Sequence, residues 1–424
     1  MNSQTGLAHT DRQTVSVADR QARSRPQPRS PLEVIVDGLR PRGPVLTPLN
    51  ALIGIILAVG LVLTVRRFGW GLAATTNLTD NYPWGFWIGF DVLTGVALAA
   101  GGYTIGAAVH VFNLRAYAPI VRPAILTGFL GYVFVIVGLL FDLGRPWRLP
   151  YPMIMSYGVT SVLFLVGWHF ALYLTAQMVE VAPALFEWLG LRRMRTITVK
   201  MTLAVTIFGV VLAVLHQAAL GGLFLLAPWK LHPLWYSPYL PVFFFVSSVY
   251  AGLAMVIVES SLSQRYLGHL MDEDHRKGHE RIVLGLGKGA ALTMFLYLGI
   301  KVAGIMYDNR WGLLFEGFYG PWFLVEMLGF VALPCAMFAA GYRNRRVGLV
   351  RAAAVLAVLG ILLNRLNVSI IAFNYHLPAE QRYVPSWMEF WISLAIVTFG
   401  IVCFRWIVAR WPIFWRHPDF EPEH

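Results

Sequence analysis

Ten apolar runs recur along the chain, at about 46–65, 86–112, 124–141, 156–178, 198–222, 239–262, 281–303, 321–342, 348–373 and 387–409. A helix rises about 1.5 Å per residue, so about 20 apolar residues match the hydrocarbon thickness of a bilayer. Inside that layer every backbone polar group must be satisfied within the segment, and runs of this length achieve it as helices. The expected fold is therefore an all-α membrane protein of about ten transmembrane helices. Only 13% of residues are charged and the mean hydropathy is +0.60, whereas about a quarter of residues are charged in soluble domains.

The net charge of +12 admits nucleic acid as a partner, but the basic residues are sorted by loop. With spans alternating in direction, 23 of the 34 Lys and Arg fall on the side shared by the N-terminal tail and the loops after even-numbered spans; seven fall on the other side and four inside spans. By the positive-inside rule both termini are cytoplasmic, and the charge serves topology rather than nucleic acid. Residues 1–45 read as a flexible, basic cytoplasmic tail lacking the apolar core of a cleaved leader. Residues 46–410 form one polytopic domain, and 411–424 a short cytoplasmic tail.

The second span, within NYPWGFWIGFDVLTGVALAAGGYTIGAAVHVF at 81–112, carries an acid, Asp91, one to two turns inside one interface and His110 near the other. Gly95, Ala99, Gly102 and Gly106 fall on one face, a small-residue stripe that admits a neighbouring helix closely. This helix belongs inside a bundle. An ionisable residue on a span is costly unless it faces protein or water, and is a functional candidate for that reason.

Alternation gives every buried charge a depth. Asp91, Asp142, His216, Lys301, Glu326, Arg365 and Glu389 lie in the outer half, His110, Glu180, Glu259 and Lys288 in the inner half, and His169 near the middle. Arg365 requires a carboxylate partner, with Asp91 and Glu326 nearest in depth, because an unpaired guanidinium in hydrocarbon costs several kcal/mol. Asp142, followed by Gly144 and Arg145, is placed to bind a quinone hydroxyl or pass a proton; a helix-end ion pair with Arg145 explains the same residues. Glu259, Lys288 and His110 read either as a polar path toward the cytoplasm or as a structural Glu259–Lys288 ion pair. His110, His169 and His216 differ in depth, so no pair is matched as haem ligands, and a buried hydrogen-bonded role is the simpler one.

The outer loops FDLGRPWRLPYP, APWKLHPLWYSPYLP and YDNRWGLLFEGFYGPW are rich in Pro and Trp. Arg145, Trp147, Trp229, Trp235 and Trp311 suit either a rigid docking face or aromatic anchoring at the interface. Two cysteines, Cys335 and Cys403, lie in apolar runs, so no iron–sulfur or zinc thiolate set exists in this chain. No phosphate-binding loop, zinc helix or nucleophile elbow appears, and GLGKGA at 285–290 opens a span rather than following a strand.

In PWGFWIGFDVLTGVALAAGGYTIGAAVHVFN, VRPA, FDLGRPWRLPY, EVAPALFEWLG, HQAALGGLF with KLHPLW, NRLNVSIIAFN and PSWMEF, the chain resembles the NrfD/PsrC family of integral quinone-reactive subunits. Within it the chain is most similar to HybB-type membrane subunits of periplasmic nickel–iron hydrogenases. The resemblance runs from about residue 40 to near the end.

It implies ten helices arranged as two four-helix bundles plus flanking helices, in a bacterial cytoplasmic membrane. It implies no bound haem or metal, and a quinone, menaquinone or ubiquinone, as substrate near the periplasmic side. The implied partners are a periplasmic ferredoxin-like iron–sulfur subunit and the hydrogenase small and large subunits. Asp142 is the implied quinone-site residue, with Asp91, His216 and Arg365 as neighbours or proton donors, and Glu326, Glu259, His110 and Lys288 along a proton path. The expected function is to pass electrons between that hydrogenase module and the quinone pool. The alternatives are an anchor for a molybdoenzyme or quinol-oxidising complex, a purely structural anchor, and, from another class, a secondary transporter.

Overall fold

The computed structural model describes residues 30–41 and 46–420. The remainder of the N-terminal tail and residues 421–424 lie outside the described residues. A short helix α1 (Pro31–Leu39) is closed by a capping box in which Ser30 and Glu33 satisfy each other's backbone N–H groups.

Among the described residues ten helices are long and apolar enough to cross a membrane. They are α2 (Pro48–Trp70), α3 (Ile88–Val111), α4 (Arg115–Asp142), α5 (Val162–Trp188), α6 (Arg192–Leu226), α7 (Leu240–Leu270), α8 (His279–Tyr307), α9 (Tyr319–Arg343), α10 (Val347–Ile371) and α11 (Trp387–Val408). The expected number and the approximate positions both hold. Thr47 caps α2 by accepting from the Asn50 N–H at 3.1 Å, and Ser386 with Glu389 forms a capping box at α11.

Helices α3 to α6 close into one four-helix ring and α7 to α10 into a second. Helices α2 and α11 pack on each other beside the first ring, α11 leaning on α4. The two rings meet where α3 lies against α7, and these are the most enclosed spans, with 78% and 67% of their apolar windows buried against 11% for α2. Glycine makes that meeting possible. A Cβ on Gly252 of α7 would overlap the backbone of Ala100 and Gly101 on α3. On the other side of α3, Gly95 and Gly102 face Val135 and Gly128 of α4, the contact expected of the small-residue stripe.

Four stretches inside the spans widen into π-helical turns: Ile88–Thr94, Ala107–Val111, Val325–Ala332 and Asn367–Ile371. They carry Asp91, His110, Glu326, and Asn367 with Ser369. Such turns shift side chains out of the ordinary helical register and recur at functional sites.

At the end of the first ring away from Asp142, Glu187 takes Arg122 in a two-pronged pair at 2.8 Å and Arg195 at 3.1 Å. Arg410 donates to the carbonyls of Gly38 and Arg40, fastening α1 beside Trp188. The stretch expected as a C-terminal tail packs Ile413 and Phe414 onto Leu126 and Ala184.

Candidate functional site

Three carboxylates converge where α4 ends and α3 and α11 begin. Asp142, half-buried, accepts the Gly85 N–H at 3.0 Å. Arg67 of α2, only 2% exposed, donates to the Phe141 and Leu143 carbonyls at 2.8 and 2.7 Å and so holds its charge beside Asp142. Arg145 is exposed, so the cation beside Asp142 comes from another helix. One turn down α4, Gly138 leaves the space that Asp91 fills. Asp91 is buried, and its Oδ2 accepts from Ser393 of α11 at 2.5 Å.

Glu389, the third acid, is fully buried and accepts the Tyr383 hydroxyl and the Ser386 N–H. Tyr383 in turn accepts the Phe86 N–H at 2.9 Å. Burial and the Glu389 carboxylate push the Tyr383 phenol upward, so it remains a protonated donor. The arrangement sets one half-accessible acid above one enclosed acid, with a single guanidinium near the first. Chemically, carboxyl groups so placed can take up and release protons.

The second ring holds a different network. Glu326 is fully buried and takes three donors: Trp235 Nε1 at 2.7 Å, Asn364 Nδ2 at 2.6 Å and Asn367 Nδ2 at 2.5 Å. Arg365 donates to Asn364 Oδ1 at 2.8 Å and Ser247 Oγ at 2.8 Å, and its guanidinium lies 3.8 Å over the Phe244 ring. The expected carboxylate partner is thus Glu326, reached through an amide rather than by a direct ion pair. Lys301 is buried among the Phe243, Tyr297 and Phe323 rings and lines a cleft with Asp308 and Arg310.

Several expected placements change. Trp235 cannot dock a partner, since it is completely buried and serves Glu326. Trp147, Trp229 and Trp311 are exposed at 69%, 68% and 44%. Lys288 is exposed, with its ammonium 5.5 Å over Tyr342, so it forms no pair with Glu259, whose Oε1 accepts from Ser263 at 2.8 Å. A long cationic side chain on a lipid-facing position reaches toward a polar level in this way. His110 is half-buried on its π turn. His216 is enclosed within the first ring, away from the network around Arg365, and its neighbours include His169. Arg67, Tyr383 and Ser393 had no local signal as site residues: each acts on a helix or loop distant in sequence.

Ten spanning helices enclosing buried acids define a multi-pass integral membrane protein with ionisable sites in its interior. The family model described as polysulphide reductase, NrfD, matches residues 74–375, and the chain belongs to that family. It is 56% identical to a protein of Nitratidesulfovibrio vulgaris over 89% of this chain and 97% of that one. It is 32% identical to the probable Ni/Fe-hydrogenase 2 b-type cytochrome subunit of Escherichia coli, over 85% and 91% of the two chains. It is 27% identical to the integral membrane subunit of menaquinone reductase of Nitratidesulfovibrio vulgaris, over 82% and 89%.

Among the described residues no group of three or more His, Cys, Asp or Glu side chains gathers as a metal site. His216 is packed between the Tyr132 and Phe170 rings, at 5.9 and 5.2 Å between centroids.

Proposed function

We propose that this chain anchors a redox complex in the bacterial cytoplasmic membrane and reduces quinone at the Asp142 end of the first ring. The observation that carries the reading is the pairing of a half-accessible Asp142 with the enclosed Asp91 across Gly138. Quinone reduction consumes two electrons and two protons, and these acids are placed to supply protons in sequence. Arg67 is a fixed positive charge that stabilises the developing quinol oxyanion. The face bearing Asp142 is periplasmic and both termini are cytoplasmic, in keeping with the loop charges.

Electrons come from a ferredoxin-like iron–sulfur subunit docked on the exposed Arg145, Trp147, Trp229 and Trp311, fed by nickel–iron hydrogenase subunits. The resemblance to a hydrogenase cytochrome subunit supports that partner, and the resemblance to a menaquinone reductase subunit supports menaquinone. Family membership favours this redox reading over transport.

The test is hydrogen-dependent reduction of a short-chain menaquinone analogue by the purified complex, with Asp142→Asn beside the parent. Loss of about 100-fold in the variant, with all subunits retained, supports the site. Full activity in Asp142→Asn removes Asp142 from the chemistry and leaves it a helix-end structural acid.

A further inference from the structure

The glycine-rich stretch GLGKGA at 285–290 takes no part in the site above. It lies on α8, where Arg281, Gly285, Lys288 and Leu292 follow one another at helical spacing along the outward face. Arg281, Lys288 and Leu292 are exposed and Gly285 is half-buried. The two cations stand two turns apart, about 10 Å at the helical rise, and the glycine between them leaves a notch.

The Tyr117 hydroxyl, from the first turn of α4, enters that notch. A Cβ on Gly285 would overlap its oxygen and stand 3.1 Å from its Cζ. Tyr342, at the end of α9, forms the other rim. The Lys288 ammonium lies 5.5 Å over the Tyr342 ring, and Tyr342 and Arg281 are both within electrostatic reach of Tyr117.

Four donors from three helices therefore surround one glycine. Among the described residues neither cation has a carboxylate partner and neither phenol hydroxyl has a hydrogen bond. Such a set matches an oxyanion, which accepts charge-assisted hydrogen bonds from several donors at once. Beyond Lys288 the same helix exposes Leu292, Phe295 and Leu296, so an anion carrying apolar chains fits this place better than a free one. Arg343, Arg345 and Arg346, all exposed, follow Tyr342 and add to the attraction for an anionic membrane surface.

We propose that this notch binds the phosphate of one anionic phospholipid, in the leaflet at the end of the bundle away from Asp142, with its acyl chains along Leu292 and Phe295. Tyr117 belongs to the first ring and Arg281, Lys288 and Tyr342 to the second, so the headgroup ties the two rings together beside the contact of α3 with α7. The site is independent of the quinone reading.

The test is native mass spectrometry of the purified full-length protein in neutral detergent, titrated with palmitoyl-oleoyl phosphatidylglycerol or phosphatidylcholine. One phosphatidylglycerol should bind above the level reached with phosphatidylcholine. Arg281→Gln with Lys288→Gln should weaken that binding by about 30-fold, the combined effect of two interfacial cations. Tyr117→Phe with Tyr342→Phe, which keeps the charge, should weaken it by about threefold and decides the matter should the glutamine pair not assemble. Arg193→Gln with Lys200→Gln, at exposed positions on the same side of the first ring, should leave it unchanged. Equal binding by the parent and the notch variants, or an equal loss in the Arg193 and Lys200 variant, overturns the site and assigns the preference to net charge. Displacement of the lipid by millimolar inorganic phosphate overturns the lipid as its occupant in favour of a free anion.

Discussion

Glu326 and Arg365, the opposite charges at the heart of the second ring, are joined by Asn364, which donates to the carboxylate at 2.6 Å and accepts from the guanidinium at 2.8 Å. Replacing the bridge leaves both charges short of a partner in a low-dielectric core, where such a loss costs about 3 kcal/mol or more. Asn364→Leu should therefore lower the unfolding temperature of the complex by several degrees, with Val355→Leu on an exposed position of the same helix as the control. Equal melting temperatures for parent and Asn364→Leu would show that the amide bridge is dispensable.

Gly138 places Asp91 behind Asp142: a Cβ there would stand 2.6 Å from Asp91 Cβ. Overpacking of this kind costs about 1–3 kcal/mol and displaces the neighbour. Gly138→Ala should assemble yet reduce quinone about tenfold more slowly, since the acid would leave its place. Gly131→Ala meets Ala99 Cβ at 2.8 Å in the same helix contact without touching an acid. Equal loss in both variants would assign the effect to helix packing rather than to the position of Asp91.

His232, in the loop before α7, stacks on Tyr319 at 4.7 Å and accepts the Leu234 N–H at Nδ1, as a neutral imidazole does. Burial first, and the Arg310 charge second, depress its pKa from 6.5 to about 4. Between those values the unfolded state binds the proton and the folded state does not. Stability from this group is thus intact above about pH 6.5 and declines as pH falls toward about 4. Melting temperatures of the complex across that window should fall less steeply in His232→Asn, which keeps an acceptor but does not titrate. Parallel curves would remove His232 as the source.

Sidedness has its own test. Val384, in the loop before α11, is highly exposed on the Asp142 face away from the proposed docking residues, and Arg345 is exposed on the opposite loop. In intact cells an impermeant maleimide should label Val384→Cys and reach Arg345→Cys only after permeabilisation. The reverse pattern would invert the membrane orientation and place the quinone site on the cytoplasmic side.

The ten spans, the enclosed position of α3 and the contact made by its small residues were all legible in the sequence, because apolar length and helical spacing are local properties. Depth was legible too, which is why Glu326 was among the candidates for Arg365. Which way each side chain faces was not: Lys288 and Glu259 share an end of the second ring, yet Lys288 is turned out to Tyr342 and Glu259 in to Ser263. Trp235 has the composition of a surface aromatic and is buried because a loop folds it onto Glu326. Arg67, two residues past the first apolar run, closes on the end of α4, 74 residues away.

The sequence by itself determined how many helices cross the bilayer and which of them carry charge, since each span must satisfy its own backbone and its own hydrophobic length. Only the tertiary structure decided the partners of those charges. That depends on the rotation and neighbours of each helix, set by glycine contacts such as Gly101 with Gly252 and by π turns that move Asp91 and Glu326 out of register.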